Sequence, residues 1–257
     1  MDTEYFVPKN SIVRKIWGKS DTIIFIFAGA SAEFALNKAV DWLYFTGKLP
    51  KDPLGRLFST VAYARLIVFA EKESAIKAIN SMAAIHSQVE TNRQSKIPDW
   101  AYRDVLFMLT AYSIKSFEVL ERKLTIEEKR EVFDVFNRVG LLMGLKGLPL
   151  NYEEWQSMRQ EHLSQNMKYS HYTDDLFRQY RKHLGPIRYR ILLEVQRTVI
   201  PVEVKEMLRI KNTMFISNTG LSLYKLAKVL NSDNILKSIV LPSAYKEKVK
   251  ALDNPPV

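Results

Sequence analysis

Apolar positions recur along most of this chain at three- and four-residue steps, with short polar or Gly/Pro breaks between them, which is the period of amphipathic helices. The spacing predicts a helix over residues 22–45, capped by Ser20-Asp21 and ended by Thr46-Gly47 and a loop holding Pro50 and Pro53. A second helix is predicted over 54–70. A third, over 72–91, places Ala75, Ile79, Met82, Ala83, His86 and Val89 on one face and charge on the other. Pro98-Asp99 opens a long helix reaching about residue 122 that is apolar on nearly every side, the mark of a central position. Thr125 with Glu128 forms a capping-box pattern for the next, which ends near Gly144. Asn151, followed by Glu153 and Glu154, caps another. Further helices are predicted over 172–183, 186–198, 201–207, 212–230 and 233–248, with a frayed tail at Pro255-Pro256. With no internal repeat or flexible linker, residues 1–257 read as one all-α domain of roughly ten helices around a central apolar helix.

Composition supports helices over many short strands, because only nine Gly and ten Pro are spread over 257 residues. The net charge of +10 could face nucleic acid, an anionic membrane or water, and does not choose among them. The absence of cysteine is more selective. It excludes a disulfide framework, a thiolate nucleophile, an iron–sulfur cluster and any zinc or haem site built on a Cys ligand. Imidazole chemistry must come from His86, His162, His171 or His183. The first ten residues lack the basic and apolar regions of a secretory signal. The apolar run 23–43 is interrupted by Glu33, Asn37, Lys38 and Asp41, so it reads as a core helix of a cytoplasmic protein and not as a membrane span.

Arg56 and Thr60 are one helical turn apart, on a face that continues through Tyr63, Ala64 and Ile67. A guanidinium opening an apolar stripe needs either a carboxylate of the protein or an anionic ligand group, and an internal ion pair is the simpler expectation. His86 raises the same choice on its own stripe. It is either a core histidine donating to a carbonyl, or a neutral imidazole ligating a metal held mainly by something else, as a macrocycle holds haem iron. His162, His171 and His183 lie among charged neighbours and read as surface residues. No histidine pairs with a carboxylate at zinc or di-iron spacing, and GxGxxG, GxxxxGK[ST] and GxSxG are all missing. The basic-aromatic stretch 177–183 and Arg188-Tyr-Arg190 could contact phosphates, but Gly185-Pro186 divides it and no recognition motif accompanies it, which favours a solvated face over nucleic-acid binding.

The order of these features resembles the catalytic domain shared by bacterial rubber oxygenases (latex-clearing proteins) and fungal ER-bound mpaB-type oxygenases. An early helix with an apolar stretch and a glycine, Asp21-Thr-Ile-Ile-Phe-Ile-Phe-Ala-Gly29, precedes Asp52-Pro-Leu-Gly-Arg56-Leu-Phe-Ser-Thr60, which is similar to the family's D-P-x-x-R-x-x-x-T segment. Ile85-His86-Ser-Gln-Val89 is similar to the family's H-x-x-V. Ile97-Pro-Asp-Trp-Ala-Tyr102, the Thr125 capping box and Gly144-Leu-Lys-Gly-Leu-Pro149 follow in family order, so the resemblance covers residues 22–209.

The resemblance implies an all-helical fold around a b-type haem, with His86 as axial iron ligand, Arg56 and Thr60 lining the haem pocket as catalytic and cofactor-binding residues, and oxygen chemistry on the far face. It implies a haem-dependent oxygenase oxidising or cleaving a C=C bond of an apolar, isoprenoid-like substrate with dioxygen. Ser59 stands where the latex-clearing branch has a lysine, and Glu90 where a glycine commonly follows H-x-x-V, which turns the expectation away from rubber. Asp41 lies roughly where a family acid could sit. The alternative from another class is a non-catalytic helical protein that binds a hydrophobic ligand without haem.

Overall fold

The computed structural model describes residues 4–47 and 51–210; the helices predicted over 212–230 and 233–248, the Pro255-Pro256 tail and Pro50 lie outside the described residues. Ten helices and two isolated β-bridges are found among the described residues, with no strand. They are α1 (Ile12–Trp17), α2 (Ser20–Phe34), α3 (Val40–Phe45), α4 (Pro53–Phe69), α5 (Lys72–Arg93), α6 (Asp99–Leu120), α7 (Ile126–Leu142), α8 (Tyr152–Gln165), α9 (His171–Val199) and α10 (Val202–Met207). The all-α class is as expected.

The long apolar helix is central. α6 packs along α2 and α7 and also meets α1, α8 and α9. Residues from all sides of it are buried, among them Leu106, Phe107, Met108, Tyr112, Ile114 and Phe117. Its approach to α2 is close because Gly29 has no side chain: a Cβ there would stand 2.3 Å from two ring atoms of Tyr112. A second, smaller apolar cluster, built on Ala35, Val40, Leu54, Leu176, Tyr180 and Leu184, joins α3 and α4 to α9.

The Thr125 and Asn151 caps form where the sequence places them, whereas Ser20 and Asp21, expected to cap the first long helix, lie inside α2, which starts after Lys19 without a side-chain cap. Thr125 and Glu128 bond reciprocally across the first turn of α7, and the Asn151 side chain accepts the Glu154 backbone N–H at 2.8 Å. The helices predicted over 172–183 and 186–198 lie end to end in α9, with a kink at Gly185 (φ 74°) before Pro186.

Two elements depart from expectation. α1 was not anticipated, because six residues are too few for a period to register; Ile12, Val13, Ile16 and Trp17 are buried, and the Trp17 indole donates to Ser113 at 3.1 Å. The single helix expected over 22–45 is broken between α2 and α3 by tertiary hydrogen bonds, not by a helix-breaking residue. Lys168 N–H donates to the Leu36 carbonyl (2.7 Å), Lys38 N–H to that of Asn166 (3.0 Å) and the Thr173 hydroxyl to that of Ala35 (2.7 Å). The Asn37 side chain accepts the Ala39 N–H at 2.8 Å, completing the turn.

Helix propensity favours Ala over Gly by up to about 1 kcal/mol, but the Tyr112 ring is buried and its hydroxyl is tied to Glu33, so it cannot swing aside cheaply. Gly29→Ala is therefore expected to lower stability by about 1–3 kcal/mol in urea denaturation, and a gain would show that the α2–α6 contact is slack.

Candidate active site

α4 starts on the Asp52-Pro-Leu-Gly segment. Pro53 enters the first turn, where a missing N–H costs nothing, and the Asp52 side chain accepts the Gly55 N–H at 2.8 Å. Glycine at 55 leaves room for this cap, since a Cβ there would lie 2.0 Å from the Asp52 carboxylate and push it aside. This cap sets the register that turns Arg56 and Thr60 toward a cavity of about 310 Å³ lined by α2, α3, α4, α5, α6 and α7 and by Tyr180 of α9. The cavity size is at the lower end for small-molecule and cofactor sites, and its wall is mostly apolar, with Phe27, Phe34, Trp42, Leu57, Tyr63 and Met108 among the larger side chains.

The ion pair expected for Arg56 is not formed with any described residue. Its guanidinium donates to the Ser59 hydroxyl at 3.1 Å and the Thr60 hydroxyl at 3.4 Å, and both hydroxyls donate back to the Arg56 carbonyl. The nearby acids are engaged elsewhere. Asp41 pairs with Arg93 at 2.6 Å, and Arg93 also covers the Trp42 ring; Asp52 caps α4; Glu90 accepts from Lys96, Tyr102 and the Ile97 N–H. Burial lowers the Arg56 pKa, with no carboxylate countering it.

His86 lines the same cavity. The stripe that carries it is buried over Ala75, Ala78 and Ile79 but only partly covered at Met82, Ala83, His86 and Val89, of which Met82 and His86 line the cavity. Its Nδ1 is buried without a hydrogen-bond partner, and the Tyr102 ring meets it edge-on at 5.2 Å. Desolvation lowers the His86 pKa, the Arg56 charge lowers it further, and Glu90 opposes them, so the imidazole is neutral at pH 7. Thus Arg56, Thr60 and His86, from two helices, share one cavity wall.

His162 corrects the reading that placed it at the surface. It is buried on α8, with Nδ1 2.6 Å from Asp104 and Nε2 3.4 Å from Glu33. Glu33 takes both Arg159 terminal nitrogens and the Tyr112 hydroxyl, the last at 2.7 Å, while the Asn37 amide donates to Asp104 at 3.5 Å. The signal was present in the helical alignment of Arg159 and His162 with Tyr152, Trp155 and Leu163, all buried. His171 is exposed and His183 bridges the Gln179 and Lys51 carbonyls, as partly surface residues do.

A family described as ER-bound oxygenase mpaB/B'/rubber oxygenase, catalytic domain, matches residues 20–224. The chain belongs to this family of oxygenase catalytic domains. Neither a curated protein nor a solved structure matches it. Among the described residues, no helix is long and apolar enough to cross a membrane.

Desolvation pushes the Glu33 pKa up, but the Arg159 charge and the bonds from His162 and Arg159 outweigh it and hold the group at about 2. A depressed acid stabilises the fold above its unfolded value and loses that contribution as pH falls through the folded one. Roughly 3 kcal/mol should therefore disappear between about pH 5 and 2. His162 has the opposite sign: burial lowers its pKa, the two carboxylates more than compensate, and the net rise gives stability that is lost as pH climbs above about 6.5. Glu33→Gln should cost about 3–5 kcal/mol at neutral pH and flatten the acid limb of a denaturation-versus-pH curve. An unchanged acid limb would mean that Glu33 is not the titrating group.

Proposed function

We propose that this chain holds a b-type haem through His86 and acts as an oxygenase on the C=C bond of an apolar, isoprenoid-like substrate, with dioxygen as co-substrate. The observation that carries this reading is the sharing of one apolar cavity by a neutral imidazole with an unpartnered nitrogen and a guanidinium without a carboxylate. Those are the groups a haem asks of a protein: one axial nitrogen and a cation for a propionate. The residues present therefore fit the group. When bound, the haem supplies the redox centre at which dioxygen reacts.

The chain's own residues supply the rest. Arg56 is held by Ser59 and Thr60 in one orientation, so its remaining donors are free of the ordering cost that a loose side chain would meet on binding an anion. Tyr102, fixed through its hydroxyl to Glu90 at 3.2 Å, stands edge-on to the His86 ring and limits its rotation. The apolar wall excludes water and accepts a hydrocarbon without unmet polar groups. Among the described residues, no lysine lines the cavity.

Titration of the purified protein with haemin, read by absorption, tests this. A Soret band should develop with one haem per chain and be lost or shifted in His86→Ala, while Arg56→Met should weaken binding by roughly tenfold, as for loss of a charge-assisted hydrogen bond. A protein that refuses haemin but carries a lipid in native mass spectrometry would instead be the haem-free binding protein.

A further inference from the structure

The corner of α9 at Gly185-Pro186 has a composition that the cavity does not explain. Between residues 176 and 193 there are five arginines or lysines (Arg178, Arg181, Lys182, Arg188 and Arg190) and no acidic residue. Arg181, Lys182 and Arg190 are exposed, and Ile187, immediately past the kink, is 70% exposed. The left-handed Gly185 (φ 74°) and Pro186 break the helix there, so this apolar side chain is carried at an exposed bend amid cations. The acids that flank the stretch are engaged: Asp174 accepts from Tyr169, Asp175 accepts from Tyr44 and lies 3.4 Å from Arg178, Glu194 pairs with Arg197, and Asp52 caps α4. His183, on the same segment, is tied to the Lys51 carbonyl, and Lys51 adds another exposed cation.

We infer that this corner docks on an anionic phospholipid surface, the arginines and lysines meeting lipid phosphates and carboxylates while Ile187 enters the boundary between headgroups and acyl chains. Charge complementarity selects an anionic partner. The exposed isoleucine selects a bilayer over a nucleic acid, since against a phosphate backbone it would gain nothing, whereas basic residues around an apolar tip are how peripheral proteins hold an interface. The segment is also suitably placed: Tyr180, on its inner face, lines the cavity, as does Pro53, two residues beyond Lys51. The docking itself needs no bound cofactor.

Cosedimentation of the full chain with vesicles tests the inference, comparing phosphatidylcholine alone with phosphatidylcholine mixed with phosphatidylserine. Retention is expected only on the mixed vesicles and should fall with salt. Each cation near such a surface contributes about fivefold, so the double change Arg181→Glu with Lys182→Glu should reduce partitioning by more than about twentyfold. Ile187→Ser, which leaves every charge in place, should weaken it further than salt screening alone; circular dichroism confirms that each variant is folded. Equal retention on neutral vesicles, or undiminished retention in both variants, would overturn the proposal. So would retention of an oligonucleotide at low salt by a chain that ignores the vesicles.

Discussion

A carboxylate with no exposed surface would be a defect in almost any helix core, because an unpaired buried charge costs several kcal/mol. Glu33 is in that position, and the arrangement around it is built to answer it. Arg159 from α8 meets both oxygens, Tyr112 from α6 donates to one of them, and His162 from α8 stands between Glu33 and Asp104. When His162 is protonated, as its raised pKa favours, the two cations balance the two anions. It also fixes which helices must be together, since α2, α6 and α8 each contribute a member that is costly to leave alone. The break between α2 and α3 belongs to the same construction, because Asn37, at that break, donates to Asp104 and also forms part of the cavity wall.

The fold thus holds two kinds of buried polar group, and their pairing tells them apart. Around Glu33 every charge is met by another charge or a donor, as in a structural network. Around the cavity, Arg56 is met only by hydroxyls and His86 Nδ1 by nothing. A perturbed group without an internal partner, facing a cleft, is the pattern of a binding site, whereas perturbation within a closed network is the pattern of a scaffold. The network holds α2 against α6, two walls of the cavity, so the rigidity of one serves the geometry of the other.

Much of this was legible in the sequence for reasons that are local. Caps, prolines and helical periods act within a few residues, and Thr125, Asn151 and Pro98 mark their helix starts correctly. Arg56 and His86 stood out because each interrupts an apolar stripe, although that they share one cavity depends on how α4 and α5 pair. What could not be read is what depends on distance along the chain. The opening at residues 35–39 is made by carbonyls and N–H groups of the segment before α9 and has no sequence signature of its own. His162 appeared solvated because its neighbours in sequence are charged, while its neighbours in space, Glu33 and Asp104, come from two other helices.

The closed charge network bears on how this chain can change over time. Replacing Glu33, Asp104, Arg159 or His162 singly strands an opposite charge in the core, which is among the costliest outcomes a point mutation can have. Replacing the set with apolar residues of matching volume need not be costly at all. Drift in this region is therefore obstructed in single steps and open in concerted ones, so the four positions are expected to change together although they are scattered across three helices. A homologue that keeps two or three of them but not the fourth would need a compensating group nearby, and finding that group would be a way to trace how the two arrangements interconvert.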